Sequence, residues 1–182
     1  VNKACANISA EIFVVDNNSS DDSIEMVSKN FPNVHLIHNK ENVGFSIANN
    51  QAIEISNGKY VLLLNPDTVV EEDAFEKCID FSDTHPDLGG LGVKMIDGNG
   101  IFLPESKRGL PTPSVSFYKL FGLSNIFPNS KKFAKYHLAY LKENETNEVD
   151  VLSGAYMWMR KSVLDKVGLL DETFFMYGED ID

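Results

Sequence analysis

Tyr60-Val61-Leu62-Leu63-Leu64-Asn65-Pro66-Asp67-Thr68 is the stretch whose reading decides the fold. Five consecutive apolar residues stop on turn residues and a carboxylate. A continuous apolar run is what a central parallel strand needs when helices cover both its faces. Open α/β sheets bind ligands beyond the carboxyl ends of their strands, so Asp67 falls where a ligand is expected. A carboxylate stiffened by Pro66 suits Mg2+ or Mn2+, which take oxygen ligands and bridge to substrate phosphates. Asn-Pro-Asp-Thr is also strong turn chemistry, and a plain Asx turn needs no metal. Spacing alone leaves both readings open.

The segments upstream set this strand in a repeating frame. Residues 11–15 read as a short buried strand, followed by the turn-rich Asp16-Asn17-Asn18-Ser19-Ser20. Asp22 and Glu25 stand at capping-box spacing ahead of Ile24, Val27 and Phe31, which fall near one helical face, and Pro32 ends that helix. Residues 34–37 form the next strand. Residues 45–55 have helical periodicity, with Gly58 as the stop. Residues 71–81 predict a helix whose acidic first turn complements the dipole. Strand and helix alternate three times, which predicts a parallel α/β unit.

Downstream the pattern changes. Residues 88–96 predict a strand, and Asp97-Gly98-Asn99-Gly100 predicts a turn. Residues 102–148 are broken by Pro104, Pro111, Pro113 and Pro128, with short helices expected at 116–121 and 131–142. Such an insertion serves either as a lid over a site or as surface decoration. Residues 149–159 return to strand character, and 162–167 predict a helix ending at Gly168.

Composition narrows the function classes. A 182-residue chain that is 43% hydrophobic and 24% charged buries one good core. Its net charge of −11 argues against nucleic-acid partners, and an anionic substrate then calls for a local cation. Cys5 and Cys78 have no metal spacing, and Cys78 reads as a buried thiol on a helix. His35, His38, His85 and His137 form no zinc pattern and read as structural or surface residues. Neither the dinucleotide glycine fingerprint nor a phosphate loop or serine elbow occurs, which sets aside a nicotinamide-dependent dehydrogenase. No apolar run reaches membrane-spanning length and no signal peptide is visible, so the expected location is cytoplasmic.

Three further constellations bear on chemistry. Asp16 ends its strand at the edge expected for Asp67, within reach of a ribose or base, although it also suits the N-cap of the following helix. Glu41-Asn42-Val43-Gly44, ahead of a helix, can set backbone donors and Asn49 near a diphosphate, but Asn-Val-Gly is also an ordinary turn. Glu179 and Asp180 follow Phe174-Phe175-Met176-Tyr177-Gly178, where a partly desolvated general base is expected. The acidic Glu179-Asp180-Ile181-Asp182 cluster equally suits a helix start.

Taken together, residues 11–20, 41–45, Ala48-Asn49-Asn50, 62–68 and 174–182 closely resemble glycosyltransferase family 2, within it the rhamnosyltransferase-like branch. The resemblance implies a GT-A fold, a three-layer α/β/α arrangement around a mainly parallel mixed sheet. It implies an inverting, metal-dependent transferase that moves a sugar from a UDP- or dTDP-sugar donor to a saccharide or lipid-linked acceptor. By motif, Asp16 and Asn18 match the nucleoside-contacting turn, and Asn42, Gly44 and Asn49 match donor-binding positions. Asn65-Pro66-Asp67 matches the Asp-x-Asp position, with Asp67 meeting Mg2+ or Mn2+ and Asn65 in place of the first acid. Gly154 and Ala155 match the segment beneath donor sugar and acceptor. Asp180, beside Glu179, matches the catalytic base.

The resemblance also sets expectations for organisation. The chain reads as a single catalytic domain fragment, with a nucleotide-binding half at 11–100, an insertion at 101–148 and an acceptor half at 149–182. A further strand is expected ahead of it and a basic segment after Asp182. The full-length protein is expected at the cytoplasmic face of a membrane, peripherally associated, in surface polysaccharide synthesis. A non-catalytic nucleotide-sugar or glycan-binding module of a larger synthase is the alternative.

Overall fold

The computed structural model describes residues 1–181, so Asp182 lies outside the described residues. The chain divides into two compact units. The first comprises Val1–Gly90 and Trp158–Asp180, the second Leu91–Met157 and Ile181.

The first unit opens with β1 (Phe13–Asp16), α1 (Ser23–Asn30), β2 (His35–His38), α2 (Phe45–Ile55), β3 (Tyr60–Leu64) and α3 (Ala74–Thr84). This is the strand–helix alternation read from the sequence. β1 and β2 pair in parallel, with Phe13 opposite His35 and Asp16 opposite His38. β3 belongs to a second sheet, where it hydrogen-bonds in the order β3-β5-β4 with Tyr156–Arg160 (β5) and Gly90–Leu91 (β4). The expected central place for β3 is therefore not observed, as it stands at the end of that order. Its burial alternates, with Val61 and Leu63 buried and Leu62 half-buried. An apolar run does not by itself tell a doubly covered strand from a singly covered one.

Several local expectations also shift. Asp22 occupies the N-cap of α1 but makes no side-chain cap bond, so the capping box with Glu25 does not form. Asp21 instead accepts from the Ser23 amide at 3.1 Å. α2 is capped by Ser56 rather than stopped by Gly58: Ser56 turns extended while its amide still reaches the Ala52 carbonyl. The strand expected at 88–96 shortens to Gly90–Leu91, followed by a tight loop in which Asp97 accepts from the Asn99 and Ile101 amides.

The core of the first unit locks its late segment onto its early helices. Trp158, on β5, lies 5.2 Å from the Tyr60 ring and donates its indole N–H to the buried Ser82 hydroxyl at 3.1 Å. Arg160 donates to the Ser82 carbonyl (2.8 Å) and the Leu88 carbonyl (3.1 Å), capping the negative end of α3. Lys161, which opens α6 (Lys161–Val167), does the same for α2 through the Ile53 carbonyl at 2.7 Å. Gly168, at φ 100°, stops α6 as expected. Cys78 is buried, also as expected.

The second unit holds α4 (Pro113–Leu120) and α5 (Leu123–Ile126). α4 starts three residues ahead of expectation because Thr112 caps it, accepting from the Val115 amide, and Pro113 is preset for the first turn. Gly122, at φ 71°, separates the two helices. The helix expected at 131–142 is absent, and turns take its place. Ser130 collects the Lys132 and Phe133 amides in a turn, and Leu138 at φ 46° interrupts any helical ladder. Val115, Ala134, Leu138 and Val151 form this unit's small core. No helix among the described residues is long and apolar enough to cross a membrane.

Candidate functional site

The first unit gathers its polar side chains where β1 and β2 end. Parallel pairing sets Asp16 opposite His38, so the residues leaving both strands meet at one edge. Asp16 is only 8% exposed. Its Oδ2 accepts from the Ser19 amide at 3.1 Å and lies 3.0 Å from His38 Nδ1. Hydrogen bonds from Ser19, its side chain first, and from His38 hold the Asp16 carboxyl below the usual carboxylate range, against the opposing effect of burial. Asp16 is thus no helix cap, since the N-cap position of α1 is Asp22.

A chain of amides extends from this carboxylate. The Asn39 amide N–H donates to the Asp16 carbonyl at 2.9 Å. The Asn39 side chain donates to Asn17 Oδ1 (2.9 Å) and Gln51 Oε1 (3.0 Å), while Gln51 returns a bond to Asn39 Oδ1 at 3.1 Å. Asn17 donates to the Gly44 carbonyl at 3.1 Å, and Asn42 Oδ1 accepts from the Gly44 amide at 3.0 Å. Each amide fixes the next, so the edge is preorganised before any ligand arrives.

Gly44 ties this edge to the far end of the chain. It sits at φ +87°, and a Cβ there would lie 2.6 Å from the Phe175 carbonyl oxygen. That carbonyl accepts from the Phe45 amide at 2.9 Å, at the start of α2. One turn later Asn50, 3% exposed, donates to the Leu170 carbonyl (2.8 Å) and Glu172 Oε1 (3.0 Å) and accepts from the Leu170 amide (3.1 Å). The segment leading to Glu179 and Asp180 is therefore clamped to α2 at two points. Glu179 Oε2 is buried and has no hydrogen-bond partner among the described residues. A carboxylate oxygen in that state gains from an incoming hydroxyl donor.

The remaining candidates fall differently. Asn18 is exposed at φ 65°, its backbone turning the chain away from β1. Asn49 donates one side-chain N–H to its own helix at the Phe45 carbonyl, 2.8 Å away. Asp67 is exposed in the turn after β3, where the Thr68 amide donates to the Asn65 carbonyl at 3.1 Å. Among the described residues neither Asp67 nor Asn65 joins the amide network around Asp16. Gly154 and Ala155 form a turn in the second unit, the Tyr156 amide donating to the Ser153 carbonyl at 3.1 Å.

A metal fits this donor set in one way only. No group of three or more His, Cys, Asp or Glu side chains among the described residues converges to hold an ion. Asp67 offers a hard, accessible carboxylate, the kind that takes Mg2+ or Mn2+ when substrate phosphates and water complete the shell. The residues suit an ion that arrives with its substrate.

Sequence reasoning missed Asn17, His38, Asn39, Gln51 and Asn50. His38, read as structural or surface, is exposed and also contacts Asp16. The signal was present in the parallel register, because residues leaving β2 must lie beside those leaving β1.

Comparison with known proteins follows the same lines. The family model described as glycosyl transferase family 2 matches residues 3–168. A low-salt glycan biosynthesis hexosyltransferase of Haloferax volcanii, Agl10, is 32% identical over 95% of this chain and 52% of its own length. An N-acetylglucosaminyl-diphospho-decaprenol L-rhamnosyltransferase of Mycobacterium tuberculosis is 27% identical over 94% of this chain and 58% of its own length. The chain thus spans about half the length of the curated relatives it matches. Among solved structures, a Pyrobaculum calidifontis mannosyltransferase in complex with GDP-Man and Mn2+ superposes with a TM-score of 0.56, covering 93% of this chain and 40% of that one at 17% identity. That likeness shows the fold, the sugar-transferase α/β arrangement expected from the sequence.

Proposed function

The chain belongs to glycosyl transferase family 2, and on that premise we propose that it is the donor-binding and catalytic part of an inverting transferase. The enzyme moves a sugar, rhamnose or another hexose, from a UDP- or dTDP-sugar to a saccharide or lipid-linked acceptor in surface polysaccharide synthesis. The observation that carries this reading is the double clamp of the Glu179–Asp180 segment onto α2, the helix that also frames the Asp16 edge. In this reading residues 11–100 form the nucleotide-binding half and 149–182 the acceptor half, with 101–148 an insertion between them in sequence. The full-length protein works at the cytoplasmic face of a membrane as a peripheral protein.

The chemistry assigned to each residue follows from its place. Asp16, held ionised by Ser19 and His38, accepts a hydrogen bond from the ribose or base. Asn42 fixes the Gly44 turn, which stiffens the loop beside it. Asp67 would hold Mg2+ or Mn2+ with the diphosphate, and such an ion, when bound, offsets the negative charge gained by the leaving nucleoside diphosphate. Asp180 takes the acceptor hydroxyl proton as that oxygen attacks the anomeric carbon from the face opposite the diphosphate. A single displacement inverts the configuration. Glu179, with its buried unsatisfied oxygen, orients the acceptor beside Asp180.

The test is transfer by the full-length protein from UDP- and dTDP-sugars, with Mn2+ and with chelator, comparing wild type with Asp180→Asn. Metal-dependent transfer that the substitution abolishes supports the proposal. Nucleotide binding without turnover under any donor would assign the chain to a binding module instead.

A further inference from the structure

Residues 113–137 carry four basic side chains, Lys119, Lys131, Lys132 and Lys135, and no acidic one, in a chain whose net charge is −11; of these, Lys135 pairs with Asp150 at 3.6 Å. The same segment leaves apolar side chains uncovered. α4 sets Phe117, Leu120 and Phe121 at positions i, i+3 and i+4, and Leu123, Ile126 and Phe127 repeat that spacing through the end of α5. Leu120 is 81% exposed, Ile126 65%, Phe121 62%, Phe117 51% and Phe127 49%. The Phe117 and Phe121 rings stand 4.3 Å apart, so they form one surface.

This exposure does not come from a loosely held hairpin. Val115, on α4, is buried, and the Tyr118 ring packs edge-on against Phe133 at 5.0 Å. Those side chains anchor the helix and leave the apolar triplets on the solvent side. Lysines flank them. Lys131 and Lys132 are exposed just after α5, whereas Lys119, one turn after the buried Val115, turns the other way and sets its ammonium 3.5 Å from the Tyr136 ring centre.

We propose that the α4–α5 hairpin is a membrane-docking element for an anionic bilayer. Phe117, Leu120 and Phe121 enter the boundary between headgroups and acyl chains, and Lys131 and Lys132 meet the headgroup charge. A bilayer interface offers apolar depth and negative charge together, which is what this surface lacks and matches. Charge selects the occupant: an acidic chain keeps clear of an anionic surface except where a segment of opposite sign leads. The proposal deepens the reading of a lipid-linked acceptor, yet it does not depend on transfer chemistry.

The test is co-sedimentation of the protein with vesicles, with no sugar donor or acceptor present. Vesicles of phosphatidylglycerol mixed with phosphatidylcholine are compared with pure phosphatidylcholine. The protein is expected to bind the anionic vesicles roughly tenfold or more better than the neutral ones. Leu120→Gln/Phe121→Gln and, separately, Lys131→Glu/Lys132→Glu are each expected to weaken binding by roughly tenfold. Circular dichroism of both variants should match wild type. Absent binding to anionic vesicles overturns the proposal, as does binding that neither variant weakens. Self-association that Leu120→Gln/Phe121→Gln abolishes, without vesicle binding, also overturns it and assigns the surface to a second copy. None of these outcomes bears on the transferase reading, because no substrate is present.

Discussion

The edge around Asp16 and the hairpin of α4 and α5 solve opposite problems. At the edge, polar groups satisfy one another: Gln51, Asn39, Asn17 and the Gly44 backbone form a connected chain of bonds beside a buried carboxylate. On the hairpin, the apolar side chains Leu120 and Phe121 are largely exposed to solvent. The first region spends its interactions internally, so its geometry is fixed before a small ligand binds. The second holds interactions in reserve, which suits a large partner surface. A site for a small polar ligand needs preorganisation, whereas a docking face needs uncovered area.

The largest expected effect lies beside the first region. Asp180→Asn in the full-length protein should lower turnover by about 10²- to 10⁴-fold, the usual range for a lost general base. Thermal unfolding should be little changed, which separates lost chemistry from lost fold.

Gly44→Ala comes next. The added Cβ meets the Phe175 carbonyl at 2.6 Å from a left-handed backbone, at a cost on the order of 1–3 kcal/mol. Denaturant titration should show that loss, and donor affinity should fall with it. Gly100→Ala, whose Cβ would meet nothing within 4 Å at φ +80°, isolates the backbone part of the effect.

Acid separates the two units. Burial first, then the nearby Lys119, hold the His137 imidazole below its ordinary range in the second unit. The unfolded chain therefore takes up that proton first, and the contribution of His137 is lost as pH falls below about 6.5. Asp16, also lowered, contributes above about 3.9 and loses that contribution as pH falls through its lowered folded-state value. Unfolding temperature measured against pH should show His137→Gln flattening the decline near neutrality. Asp16→Asn should flatten only the steeper decline below pH about 4. Reversed assignments would contradict these environments.

The smallest effect belongs to the hairpin. Leu120→Gln should change unfolding free energy by no more than about 0.5 kcal/mol, as expected for a side chain this exposed. A large destabilisation would mean that Leu120 is covered in solution.

The same contrast explains what was legible in the sequence. Residues 45–55 form α2 with the bounds read from periodicity, because its buried Ala48 and Ile53 repeat on one face. Asp16 and Gly44 stood at strand and helix ends, positions that local pattern marks well. The roles of Gln51 and Asn50 were not legible because their partners lie 12 or 120 residues away and an amide has no distinctive spacing. The helix expected at 131–142 failed for a different reason. Its periodicity was weak, and a left-handed Leu138 is a tertiary outcome that no local pattern marks. The offset of β3 from β1 was likewise hidden, since an apolar strand carries no label for its neighbour.

Calorimetric titration of the full-length protein with UDP and dTDP in Mn2+ tests the central claim most directly. The account predicts that at least one nucleoside diphosphate binds, and that Asp16→Asn weakens it by roughly tenfold or more, the value of a charge-assisted hydrogen bond. Binding of neither nucleotide, or an affinity unchanged by Asp16→Asn, would contradict it.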